Sequence, residues 1–147
     1  MKIFITGGAG FIGINLCKKL IESDHTITIY DNFSNSSQEN FLSIIKQKIN
    51  LITGDILDHS KLSSSMKNHD VVIHLAAKIS VSESIKNPKP TFETNVIGTQ
   101  NVLNACLDNC ITKIIAASTA AVYKNISSDS ILDETSPTQP LSPYGES

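Results

Sequence analysis

Three cysteines in 147 residues are too few, and odd in number, for a disulfide framework. Cys106 and Cys110 stand four apart on a predicted helix, but no histidine or second cysteine pair accompanies them, so no metal site is assigned. Cys17, Cys106 and Cys110 are expected to be small buried hydrophobes in a reducing cytoplasm. Long apolar runs are missing too. None approaches the roughly 18 residues that cross a bilayer. The opening MKIFITGGAG has only a short apolar stretch before Thr6, where a secretory signal needs about 7–15 residues. Charge of one sign is also lacking: 12 Lys and Arg face 14 Asp and Glu, and the lysines are scattered. That argues against nucleic acid and against an anionic membrane surface as partners. No internal repeat is visible, and the length is that of one domain.

What is present alternates. Short apolar or β-branched runs predict strands at 2–6, 26–30, 49–53, 70–77 and 113–118. Helical patterns lie between them at 11–22, 39–48, 58–68 and 88–109. In the first, Ile12, Leu16 and Leu20 share a face with Ile21 beside them; in the last, Phe92, Val96, Leu103 and Leu107 do, with Pro88 and Pro90 at its start. Such alternation implies βαβ units, hence a doubly wound parallel α/β sheet of Rossmann-like type, covered on both faces. Ligands of such sheets bind beyond the carboxyl ends of the strands. Candidate residues are therefore expected after Ile5, Tyr30, Thr53, His74 and Ala117.

The first such junction reads TGGAGFIG, with Gly7, Gly10 and Gly13 at spacing three. Gly7 permits a tight turn, Gly10 a close approach of backbone to a pyrophosphate, and Gly13 close packing of helix on sheet. The helix N-terminus then offers free N–H groups and its positive dipole end. Asp31 ends the second strand, where a carboxylate accepts from both ribose hydroxyls and repels a 2′-phosphate. Together these predict a dinucleotide site preferring NAD to NADP. Asp55 suits an adenine contact or a loop cap, Thr119 a hydrogen-bond partner to a reacting oxygen or a strand-end hydroxyl that satisfies local backbone, and His74 a hydrogen-bonded strand residue.

The glycine spacing resembles that of the short-chain dehydrogenase/reductase superfamily. YDNFSNS (30–36), GDI (54–56), VIHLAA (72–77), NVIGTQNVL (95–103), STAAVY (118–123) and SPYG (142–145) resemble its extended branch, the NAD-dependent epimerase/dehydratase family. The resemblance covers the whole chain. It implies that Gly7, Gly10, Phe11, Ile12 and Gly13 bind the phosphates, that Asp31 and Asn32 hold the ribose, and that Ser36 makes a nearby contact. Asp55 and Ile56 would line the adenine pocket. Leu75, Ala76 and Ala77 would form the nicotinamide wall, with Lys78 and Asn95 close by. Thr119 and Tyr144, 25 positions apart, match the catalytic Ser/Thr and Tyr. Tyr123 reads as structural, and Lys124 departs from the glycine usual after VY, which affects the following loop's shape.

A phenol with a pKa near 10 needs a cationic neighbour to act as a base. The resemblance supplies the nicotinamide ring and a lysine four residues after Tyr144, beyond Ser147. The implied activity is a nucleotide-sugar 4-epimerase of the UDP-glucose/UDP-galactose type, with a UDP-hexose substrate and a homodimeric full-length form. Two other readings stand beside it. Related 4,6-dehydratases and decarboxylases carry an acid just after the Ser/Thr, where this chain has Ala120 and Ala121. The chain could instead be a non-catalytic dinucleotide-binding remnant. Residues 1–147 are expected to be the amino-terminal part of the NAD-binding domain, truncated after about the fifth strand, with no substrate domain. Apolar surface should then be exposed, the tail from about 124 poorly ordered, and the chain alone inactive.

Overall fold

In the computed structural model, residues 1–44, 49–123 and 131–147 are described. Five parallel strands form one sheet: β1 (Lys2–Thr6), β2 (Thr26–Asp31), β3 (Asn50–Thr53), β4 (Val71–His74) and β5 (Ile114–Ala116), in the order β3-β2-β1-β4-β5. The order reverses at β1, so the β1–β4 boundary is the switch point where a doubly wound sheet opens a crevice. Thr6 pairs with Tyr30 on one side and His74 on the other, which brings the carboxyl ends of these strands level.

The helices are α1 (Phe11–Ile21), α2 (Gln38–Ile44), α3 (His59–Ser65), α4 (Val81–Lys86), α5 (Pro88–Phe92), α6 (Gly98–Asp108) and α7 (Pro143–Glu146). Strand alternation sorts the core into two layers. Ile3, Ile5, Ile27, Ile29 and Ile73 pack with Cys17 of α1 and Phe41 of α2. Phe4, Tyr30 and Val72 face the other way, onto Leu62 and Met66 and onto Val102, Ala105 and Cys106 of α6. Each large side chain so buried contributes about 1.5–3 kcal/mol of hydrophobic stabilisation. The rings of Phe4 and Tyr30 lie tilted with centroids 5.7 Å apart.

Several expectations need correction. The helix expected over 88–109 is two α-helices joined by a π-helical turn, Glu93–Ile97. Its apolar stripe is not the inward face: Phe92, Leu103 and Leu107 are exposed, while Gly98, Val102, Ala105 and Cys106 are buried. Small residues win because α6 runs close over Ile56, whose Cδ1 occupies the space a Gly98 side chain would need. Likewise α1 buries Gly13 and Cys17 and leaves Ile12 exposed. The strand expected over 70–77 ends at His74, because residues 75–80 leave the sheet to wall the crevice. Helix α4 was not expected, although Ser80 and Glu83 have capping-box spacing; the Ser80 hydroxyl accepts from Glu83 N at 3.2 Å. The helix expected over 39–48 and the departure at Lys124 run into 45–48 and 124–130, outside the described residues. Cys110 is exposed rather than buried, in a left-handed turn with φ of 55°. Among the described residues, no helix is long and apolar enough to cross a membrane, and no group of three or more His, Cys, Asp and Glu could hold a metal.

β5 is exposed along all three residues. Among the described residues after Tyr123, the chain is nonetheless fastened to the body from Thr138 onward. Tyr123 bridges Thr138, Gln139 N donates to Val122 O at 2.9 Å, and α7 packs on α4 and α5.

The strand ends are locked by His74, which is 6% exposed. Its Nδ1 is hydrogen-bonded to Thr6 Oγ1 at 2.6 Å and its Nε2 to Thr99 Oγ1 at 2.9 Å. Burial pushes its pKa down to about 4. The unfolded chain, with an ordinary histidine near 6.5, therefore takes up the proton first. The stability held by neutral His74 is complete above about pH 6.5 and is lost as pH falls toward 4, by up to roughly 3 kcal/mol. Urea unfolding across that range should show this decline, and His74→Gln should be less stable at pH 7.5 with a flatter dependence. An equal decline in the variant would remove His74 as the cause. The thiols offer a second check. Burial raises Cys17 to about 11 and raises Cys106 as well. A thiol reagent at pH 8 should label Cys110 alone in the folded chain and all three in denaturant, read by mass spectrometry.

Candidate functional site

The loop between β1 and α1 lies at the switch point. Gly7 adopts φ of +67°, and a Cβ there would meet Ala76 N at 2.5 Å, so only glycine lets this turn lie against the segment leaving β4. A Cβ on Gly13 would fall within 2.5 Å of Gly8 Cα, so the close approach of α1 to the loop also requires glycine. Gly10 differs: a Cβ there would meet only Gly7 O, at 3.3 Å, and otherwise enter open space. Gly10 is the N-cap of α1 with no side chain capping the helix. Beside it, Phe11 and Ile12 are 85% and 61% exposed. An uncapped helix N-terminus behind a floor without side chains fits a pyrophosphate.

Asp31 stands at the end of β2, half-buried. Its Oδ2 accepts from Ala9 N at 3.0 Å and its Oδ1 from Phe33 N at 2.8 Å. The carboxylate expected to face a ribose thus also ties the glycine loop to the loop after β2; each oxygen keeps a further lone pair for a hydroxyl. Asn32 accepts from Ser34 N at 3.0 Å and donates to Asp55 Oδ2 at 2.9 Å. Asp55 is mainly a loop cap, with Leu57 N donating to Oδ1 at 2.9 Å and the Tyr30 hydroxyl to its backbone O at 3.0 Å. Burial, with Asp58 and Asp55 nearby, pushes the Tyr30 phenol up to about 12, so it stays a donor. The side chain of Ile56 is 4% exposed and packs in the core against Gly98. Ser36 is half-buried between β2 and α2.

On the other side of the switch point, Leu75 and Ala76 each pack against one core layer, and Ala77 is exposed. Lys78 is held by its backbone: its N–H donates to Asn95 Oδ1 at 2.8 Å and its carbonyl accepts from Asn95 Nδ2 at 3.0 Å. Asn95 sits in the π-helical turn, a local widening that often marks functional positions. The same Nδ2 donates to Ser147 Oγ at 2.9 Å, so Asn95 joins this wall to the Tyr144 segment.

Thr119 caps a 3₁₀ turn over Ala120–Val122, its Oγ1 accepting from Ala121 N at 3.1 Å. That satisfies local backbone, the alternative to a contact with a reacting oxygen, and it leaves the O–H proton free to be donated. Gly145, next to Tyr144, lies so close to Ala121 O that a side chain there would collide with it. Tyr144 and Thr119 therefore belong to two turns in direct contact, and Tyr144 is not on a loose tail. Ser84, Thr99 and Ser142 brace this region and were not singled out from the sequence. Ser142 had a signal, since serine before proline suits an N-cap followed by N1. The partners of Ser84 and Thr99 are remote in sequence and left none.

Comparison with known proteins agrees with this geometry. The family model described as GDP-mannose 4,6 dehydratase matches residues 4–147. A putative UDP-glucose 4-epimerase of Methanocaldococcus jannaschii is 38% identical over 144 residues, which is 97% of this chain and 46% of that protein. The chain thus spans about half the length of such curated relatives. Among solved structures, the UDP-glucose-4-epimerase of Stenotrophomonas maltophila, with bound NAD and formylated UDP-arabinopyranose, superposes with a TM-score of 0.91 at 33% identity, covering 99% of this chain and 45% of that one. The dTDP-glucose 4,6-dehydratase DesIV of Streptomyces venezuelae, with NAD and TYD, also gives 0.91, at 30% identity over 99% of this chain and 48% of that one. The chain belongs to the GDP-mannose 4,6 dehydratase family, within the NAD-dependent epimerases and dehydratases.

Proposed function

We propose that residues 1–147 are the NAD-binding, Tyr144-bearing portion of a nucleotide-sugar 4-epimerase of the UDP-glucose/UDP-galactose type, completed by a substrate domain. The observation that carries this reading is the turn at 119–122. Thr119 is followed by Ala120 and Ala121, whose methyl groups exchange no protons. Elimination or decarboxylation beside Tyr144 calls for an additional acid, and epimerisation does not.

NAD fits the residues present: Gly7, Gly10 and Gly13 shape the pyrophosphate floor, Asp31 and Asn32 stand at the ribose position, and Leu75–Ala77 form the opposite wall. When bound, NAD supplies a hydride acceptor that takes hydride from sugar C4 and returns it. Tyr144 as phenolate accepts the proton of the 4-hydroxyl while that carbon is oxidised, and gives it back on reduction. Thr119 donates a hydrogen bond to the same oxygen and so holds it beside the phenol. The flat 4-keto sugar must turn over between the two half-reactions, and inversion at C4 follows from that. The outward apolar stripe of Phe92, Leu103 and Leu107 supports a homodimer of the full-length form, since a partner would cover it.

Product analysis separates the readings. The full-length protein with UDP-glucose should yield UDP-galactose and no 4-keto-6-deoxy sugar; release of the dehydrated product would overturn the epimerase assignment. Tyr144→Phe should lower kcat by 10²-fold or more, in keeping with general-base contributions of about 10²–10⁴, while NAD stays bound. Gly10→Val should abolish NAD binding, read by calorimetry, with little change in melting temperature, because its side chain enters open space rather than the core. Unchanged NAD affinity in that variant would remove the pyrophosphate from this loop.

A further inference from the structure

α7 is a single turn of four residues, far too short to hold itself in place. Its position must come from whatever answers its first backbone N–H groups. Pro143 has none. Gly145 N donates to Ser142 Oγ at 3.1 Å and Glu146 N to Ser142 O at 3.0 Å. The remaining donor is Tyr144 N, and it is answered from another helix: Ser84 Oγ of α4 accepts it at 3.1 Å.

Ser84 is well built for this. It is fully buried. Its own proton is committed to Val81 O at 2.7 Å, which turns the lone pairs of Oγ toward Tyr144. α4 is itself anchored by Ser80, whose hydroxyl and carbonyl accept from Glu83 N and Ser84 N. The carbonyl of Tyr144 is held as well: Ser147 Oγ donates to it at 2.8 Å, and Asn95 Nδ2 donates to Ser147 Oγ at 2.9 Å. The backbone of Tyr144 is thus held at both ends, by α4 and by the π-helical turn, while Gly145 abuts the turn that carries Thr119.

We propose that Ser84 is a positioning residue for Tyr144, setting through its backbone N–H where the phenol stands relative to Thr119. The proposal rests on the reading of Tyr144 as the proton acceptor. Ser84 touches no reacting atom, so its removal should act on the chemical step and not on binding. A displacement of about 1 Å at a reacting group can cost 10²-fold in rate.

Ser84→Ala and the nearly isosteric, poorly accepting Ser84→Cys are the tests, with two readouts. In the 147-residue chain, hydrogen exchange at Tyr144 N and Gly145 N should quicken tenfold or more in both variants, while Ile5 and Ile29 in the sheet keep their protection. In the full-length enzyme, kcat should fall tenfold or more with KM for the sugar nucleotide and NAD affinity within about threefold. Loss of sheet protection together with α7 would make Ser84 a general packing residue and overturn the proposal. So would full kcat, provided Tyr144→Phe is inactive. An active Tyr144→Phe would instead overturn the reading of Tyr144 beneath it.

Discussion

The crevice depends on one buried hydrogen bond, between Thr6 Oγ1 and His74 Nδ1 at 2.6 Å. It joins the last residues of the two central strands where the winding of the sheet reverses. The residue after Thr6 starts the glycine loop, and the residue after His74 starts the opposite wall. Neither can shift without the other, because Gly7 has no room for a Cβ against Ala76. His74 Nε2 carries the same constraint into α6 through Thr99. A neutral imidazole suits such a junction: it donates through one nitrogen and accepts through the other, with no buried charge to solvate.

Much of the sheet was legible because its signals are local. Apolar runs such as IFI and VVI, and glycines at fixed offsets after a strand, report what their immediate neighbours do. α6 was misread because helical periodicity records only where apolar residues repeat. It does not record how close the helix comes to the sheet. Near contact at Gly98 and Ala105 demanded small residues inward, which left the larger Leu103 and Leu107 outside. The split of the expected long helix reflects a demand from outside the helix as well: Asn95 must face Lys78 and Ser147, and the π-helical turn puts it there.

The candidate site was legible to the extent that its chemistry lies in residue type and spacing. Gly7, Gly10, Gly13, Asp31, Thr119 and Tyr144 stand at the crevice or in the two turns beside it. Harder to see was the service of small polar residues. Ser80, Ser84 and Ser142 look like filler in a serine-rich chain, yet each meets a backbone N–H that no helix or strand satisfies, and Ser147 donates to the Tyr144 carbonyl. The Ser84 bond joins positions 60 residues apart, and no short window of sequence contains both ends; the other three span three residues.

Asp31 has a consequence for altering cofactor choice. Its two oxygens clasp Ala9 N of the glycine loop and Phe33 N of the next loop, so the carboxylate proposed to discriminate at the ribose is also a strut of the glycine loop. Replacing it with a neutral or basic residue to admit a 2′-phosphate would also free two backbone donors and slacken the loop that grips every dinucleotide alike. On the proposed reading, selectivity and overall affinity share one side chain. A switch from NAD to NADP must therefore rebuild the clasp as well as reverse the charge.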